Sequence, residues 1–195
     1  MIISNKNKFV IINPPKTGSG FREQVFHEHS DISVKTHEIN RHASLRQAHI
    51  FLSKRGERPL DYFSCCFVRN PWKRFASWWN MNVNQMMDAG SIKNPGEALN
   101  SRQFSEFIKK IKRSQYDFLT SGGYIVDFIG SLENMRGDLS YLGKKLKLDL
   151  NIHENVEKIQ NYHSVISELW TQECVDLIAE REKEVIILKN YDFKP

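Results

Sequence analysis

Little in this chain is extreme, and what is scarce already narrows its class. No apolar run approaches the roughly 20 residues that cross a bilayer; stretches such as Phe9–Ile12 and Val185–Leu188 are far too short. Asn5, Lys6 and Lys8 interrupt the N-terminus before a secretory pattern forms, so a soluble, cytoplasmic protein without a membrane span is expected. Cysteine is sparse. Cys65, Cys66 and Cys174 form no metal-ligand spacing, and two neighbours in a strand would face opposite sides. They read as small buried apolar residues of a reducing compartment, and no metal is expected. Repeats, low-complexity linkers and blocks of one charge sign are absent as well. The net charge of +5 is spread along the chain, a field that favours anionic partners of any kind. Its densest cluster, Lys109, Lys110, Lys112 and Arg113, reads as the solvated face of a helix.

What is present is an ordinary globular composition, 40% hydrophobic and 26% charged, in a length that fits one domain over 195 residues. Strands are expected at Lys8–Asn13, Ile32–Lys35, Tyr62–Val68, Tyr124–Ile129 and Val185–Leu188. Helices are expected at Ser19–His29, Ala43–Lys54, from Pro71, and at Phe104–Ile111, Leu132–Leu146 and Trp170–Glu182. Ser91–Asn100, with Pro95 and Gly96, reads as a surface loop. This alternation predicts an α/β fold of three layers, α/β/α, around a mostly parallel central sheet. Ligands in such folds sit beyond the carboxyl ends of the strands.

Two loops occupy that position. The first follows Phe9–Ile12 and reads Pro15-Lys16-Thr17-Gly18-Ser19-Gly20-Phe21. Its backbone amides, the Lys16 charge and the hydroxyls of Thr17 and Ser19 are suited to an anion, and Gly18 and Gly20 allow close approach. It is not the nucleotide-triphosphate loop, in which lysine follows the glycines. The second follows Tyr62–Val68 and reads Arg69-Asn70-Pro71-Trp72-Lys73-Arg74-Phe75-Ala76-Ser77. Arg69 can grip a phosphate with two parallel hydrogen bonds, and Ser77 can add a third. Arg74 faces either the same ligand or a carboxylate. Two anion loops predict a ligand with phosphates at both ends.

These motifs resemble those of the sulfotransferases that use 3′-phosphoadenosine 5′-phosphosulfate (PAPS), in particular the carbohydrate-type group with the heparan-sulfate 2-O-sulfotransferases and many short bacterial members. Pro15–Gly20 resembles the first family motif and Val68–Ser77 the second. Val126–Gly130, Glu133–Leu139 and Asn190–Phe193 are similar to later family segments. The resemblance implies a P-loop NTPase-like sulfotransferase fold in one domain over residues 1–195. It implies a 5′-phosphosulfate site of Pro15, Lys16, Thr17, Gly18, Ser19, Gly20 and Phe21, although an aromatic in the place of Phe21 more often belongs to a core. It further implies a 3′-phosphate site of Arg69 and Ser77, and a contact from Lys158 in the segment with His153 and Asn155. Relatives often carry threonine at position 20 and arginine at position 131, where this chain has Gly20 and Ser131.

The implied reaction moves a sulfuryl group to an acceptor hydroxyl, of a carbohydrate or glycolipid by resemblance. Lys16 stabilises the leaving group, and His42 is the preferred base, its ordinary pKa being near neutral. His37 and Glu38 are the alternatives. Trp72, Trp78 and Trp79 could stack on a sugar but suit helix packing better. Two rival functions stay open: a P-loop-type nucleotide kinase, which lacks its lysine and magnesium signature here, and a basic nucleic-acid-binding domain, which lacks a clustered basic and aromatic face.

Overall fold

The structure, a computed structural model, describes residues 1–32, 39–94, 97, 100–152 and 169–193. Two apolar runs set its frame. Phe9–Ile12 and Phe63–Val68 are β-branched and aromatic stretches of strand length, and they pair in parallel with Phe9 opposite Phe63 and Ile12 opposite Cys66. In chain order the elements are β1 (Ile2–Ser4), β2 (Phe9–Ile12), α1 (Ser19–Val25), α2 (Leu45–Lys54), β3 (Phe63–Val68), α3 (Pro71–Asp88), α4 (Ser101–Lys110), α5 (Tyr116–Leu119), β4 (Thr120–Ser121), β5 (Tyr124–Ile125), β6 (Phe128–Ser131), α6 (Met135–Leu146), α7 (Gln172–Arg181) and α8 (Lys183–Lys189).

The main sheet runs β1-β2-β3-β6. β2, β3 and β6 are parallel, and only β1 is antiparallel. The fold is therefore α/β with a mostly parallel sheet, as the alternation predicts. Residues 65–68 of β3 are all fully buried, which marks it as an interior strand covered on both faces.

The chain forms two compact units. One contains Met1–Arg69 and the segment beginning at Gln115; its core joins Phe9, Ile11, Cys65 and Phe67 to Val25 at the end of α1, to Phe26 just after it and to Met135, Leu139 and Leu142 on α6. The other contains Asn70–Ser114 and the C-terminal helices. Its core joins Trp72, Phe75 and Trp79 of α3 to Phe104 and Ile108 of α4 and Cys174 and Ile178 of α7. Trp72 and Trp79 are thus core residues, and Trp78 packs edge-on against Phe107.

Two expectations need correction, and one strand was not expected. Val185–Leu188 is not a strand but lies within α8. Ile178, Glu182 and Val185 are fully buried while Ile187 is 80% exposed, so the buried set follows helical spacing. Tyr124–Ile129 is not one strand: β4 and β5 form a short hairpin through Gly122-Gly123, and β6 begins only at Phe128. Ile2–Ser4, which the charged residues after it obscured, is an edge strand. The strand expected at Ile32–Lys35 falls mostly outside the described residues; Ile32 itself bridges to Ile3.

Candidate active site

Because β2, β3 and β6 run in parallel, their carboxyl ends deliver three chain segments to one edge of the sheet: the loop from Asn13, Arg69, and Ser131-Leu132. The first loop is shaped by backbone that favours glycine. Gly18 has φ of 83°, and a Cβ there would stand 2.9 Å from Leu132 Cδ1 and 3.0 Å from Met135 Cε. The loop therefore lies hard against the entry to α6. Lys16 adopts φ of 67°, a conformation that costs a non-glycine residue about 1 kcal/mol or more and recurs at binding sites.

The Lys16 ammonium is half-buried. Burial lowers its pKa, and the charge of Arg69 lowers it further. Arg69 directly follows β3 and is almost wholly buried. Its Nη1 donates to the Lys16 carbonyl oxygen at 3.3 Å, which ties the two strand ends together. Two like charges held close and partly desolvated each disfavour the charged form of the other.

The backbone of Arg69 is fixed by a residue that sequence reading missed. Gln115, fully buried, accepts from the Arg69 amide through Oε1 at 2.8 Å and donates Nε2 to the Arg69 carbonyl at 2.9 Å. A side-chain amide thus continues the ladder of β3 where no strand does. Nothing in the spacing of 46 residues signals this pair. Gln115→Ala is expected to leave two buried backbone groups unpaired and to loosen Arg69, weakening phosphate-ligand binding by about 10-fold; titration calorimetry on this variant checks it.

His42 hangs from the same loop. Its Nδ1 lies 2.7 Å from the Asn13 carbonyl oxygen. That oxygen can only accept, so the neutral ring carries its proton on Nδ1 and leaves Nε2 with the lone pair. Burial lowers the pKa of His42 below its ordinary value, against the raising effect of the Asn13 bond. Its neighbours are also fixed: Arg41 forks onto Glu23 at 3.0 and 2.6 Å, and Ser44 caps α2 in a reciprocal pair with Gln47.

The other expected residues are placed differently. The Thr17 hydroxyl turns inward, donating to the Pro14 carbonyl at 2.8 Å and accepting from Arg22 Nη2 at 2.9 Å. Pro15 and Ser19 are partly exposed and Gly20 is open to solvent. Phe21 packs against the core of its unit. Ser77 is buried on α3, in the other compact unit. Arg74 meets a carboxylate: its Nη1 donates to Glu182 Oε1 at 2.7 Å, with both side chains fully buried. Ser131, where relatives often have arginine, donates its amide to Asp138 and accepts from the Asn134 amide on its hydroxyl. Lys158, His153 and Asn155, and the alternative bases His37 and Glu38, lie outside the described residues.

All three cysteines are buried, and burial pushes the Cys65 thiol up to about 12. Among the described residues no cluster of three or more His, Cys, Asp and Glu side chains could hold a metal ion. No helix among them is long and apolar enough to cross a membrane.

The chain is similar over 124 residues, at 28% identity, to an uncharacterized protein of Archaeoglobus fulgidus; the match covers 57% of this chain and 92% of the relative. No solved structure matches it. The profile of the sulfotransferase family matches residues 1–173, a span that takes in both anion loops, Gln115 and His42. Lys16 and Arg69, tied together after neighbouring strands, and His42, bonded to the Asn13 carbonyl, all lie within the matched span, and the chain belongs to the sulfotransferase family, which makes it a transferase.

Proposed function

We propose that this protein transfers a sulfuryl group from PAPS to an acceptor hydroxyl, with a carbohydrate or glycolipid as the acceptor class, and that residues 1–195 act as one domain of the three-layer, P-loop-like type. The observation that carries the reading is the like-charge pair of half-buried Lys16 and buried Arg69, joined at the Lys16 carbonyl. Such a pair fits a donor whose phosphates lie at both ends.

The donor supplies, when bound, a sulfuryl group on a phosphate leaving group. The amides from Lys16 to Gly20 hold the 5′ end, and the Lys16 ammonium balances the negative charge that the departing phosphate gains. Arg69, fixed by Gln115, takes the 3′-phosphate as a fork. A part for Ser77 in that contact rests on the motif alone, as does a contact from Lys158. His42 Nε2 accepts the proton of the acceptor hydroxyl as the new sulfur–oxygen bond forms. This scheme routes no step through a metal.

Calorimetric titration with 3′-phosphoadenosine 5′-phosphate, beside AMP and ATP, tests the reading. Binding of the bisphosphate should be tight, weaker for AMP, and reduced by about 100-fold in Arg69→Ala, the loss of charge-assisted bonds to one phosphate. Equal or stronger binding of ATP with magnesium would sink the proposal in favour of a nucleotide kinase. Binding of nucleic acid that falls steeply with salt, without affinity for the bisphosphate, would favour the other rival.

A further inference from the structure

Arg22 is the largest fully buried side chain of its unit and a cation. It stands on the inward face of α1, beneath the first loop. Nε donates to Asn13 Oδ1 at 2.9 Å, Nη2 donates to Thr17 Oγ1 at 2.9 Å, and Nη1 donates to the Thr17 carbonyl oxygen. The guanidinium lies over the Phe67 ring, 4.6 Å from its centroid. That ring is in turn accommodated by Gly130, where a Cβ would stand 2.7 Å from Phe67 Cε1.

Among the described residues, every oxygen that Arg22 bonds is neutral. The adjacent carboxylate, Glu23, is engaged by Arg41 instead, and no ion pair to Arg22 is formed among the described residues. A desolvated cation held by carbonyl, amide and hydroxyl dipoles alone is costly, and burial lowers its pKa to about 10. Cation–π contact with Phe67 offsets part of that cost. What would balance it is an anion held by the loop to which Thr17 belongs, Pro15–Gly20. We infer that Arg22 is a positioning residue of the donor site: it holds both oxygens of Thr17, so fixing the loop amides, and the bound phosphate serves as its counter-charge. The inference rests on the reading of this loop as a phosphate site.

This assignment explains why the Thr17 hydroxyl turns inward. One residue couples the interior cation to the loop, with Asn13 holding the guanidinium on one side and His42 on the other. A merely structural Arg22 would stabilise the fold equally with and without ligand. An anion-coupled Arg22 has its effect chiefly in the liganded state.

The test uses the full chain and two probes, 3′-phosphoadenosine 5′-phosphate and inorganic pyrophosphate, with affinity and thermal midpoint measured for wild type, Arg22→Met and Arg22→Lys. Arg22→Met should bind both probes about 10- to 100-fold more weakly, the value of a charge-assisted contact, and should lose most of the ligand-induced rise in midpoint. Arg22→Lys keeps the charge without the three-point hold and should fall between the two. Wild-type affinity in Arg22→Met, with only a lower unliganded midpoint, would overturn the inference. If Arg22→Met does not fold, wild-type affinity in Arg22→Lys would overturn it equally. Wild type bound by pyrophosphate but not by the nucleotide, with the same ranking of variants, would keep the role of Arg22 and remove the PAPS reading. Wild type stabilised by neither probe would remove both.

Discussion

His42→Ala should lower kcat for sulfuryl transfer by about 10²- to 10⁴-fold, the range for loss of a general base, and leave the affinity for 3′-phosphoadenosine 5′-phosphate unchanged. The second half of that expectation separates a base from a residue that merely shapes the loop. The ring donates from Nδ1 to the Asn13 carbonyl at 2.7 Å, so Nε2 is the nitrogen able to take a proton. Burial lowers the pKa of His42 from 6.5. The neutral, competent form therefore persists below the pH at which an exposed imidazole would be half protonated.

The sign of the pH dependence follows. The value of kcat/KM should rise with pH along an acid limb whose midpoint lies below 6.5, and His42→Ala should lack that limb. The same shift acts on the fold. Between the lowered pKa and the unfolded value of 6.5 the unfolded chain binds more protons, so this contribution to stability is complete above 6.5 and is lost as pH falls through that window. Rate profiles of both proteins and thermal unfolding across the same range check the two limbs. A His42→Ala enzyme with wild-type kcat and an unmoved acid limb would transfer the base to His37 or Glu38.

The parts of this molecule that sequence makes legible are those in which local pattern and final environment agree. β2 and β3 are readable because a strand buried on both faces needs an unbroken apolar run, and the loops after them because glycine, lysine and hydroxyl residues have few other reasons to cluster there. Val185–Leu188 is an equally apolar run of four, yet it is helical. A run that short fits either element, and the deciding signal is longer: Ile178, Glu182 and Val185 continue one buried stripe from α7 into α8. β1 is only three residues long and is held by pairing rather than by its own pattern. The residues proposed to support the site are the least legible. Arg22 and Gln115 are polar types that belong on surfaces by default. Their partners are atoms of the loops at the strand ends, whose positions exist only once the fold does. Arg22 did leave one trace, because it occupies the inward face of α1 with Val25, where an apolar residue is expected.

Arg74 shows the same limit from within a motif, and its replacement should have the largest effect on stability. Spacing alone left it facing a ligand or a carboxylate; the structure pairs it with Glu182 across 108 residues, both fully buried. Either Arg74→Ala or Glu182→Ala breaks the buried ion pair from one side and should cost about 3–5 kcal/mol. For a chain of this size that is a fall in Tm on the order of 10 °C. Replacing both, Arg74→Met with Glu182→Leu, removes the two desolvated charges together, and buried pairs exchanged for apolar residues of similar volume are often neutral or better. Phe75 and Trp78, whose rings lie 5.5 and 5.0 Å from the guanidinium, provide an apolar lining for the methionine. The double variant should therefore regain most of the lost Tm, giving a coupling energy of at least about 2 kcal/mol between the two sites. It should also bind 3′-phosphoadenosine 5′-phosphate with wild-type affinity. A double variant that recovers its Tm but loses the bisphosphate would return Arg74 to the ligand. Single variants that each cost less than about 1 kcal/mol, the range of exposed pairs, would mean that the pair is not closed from water.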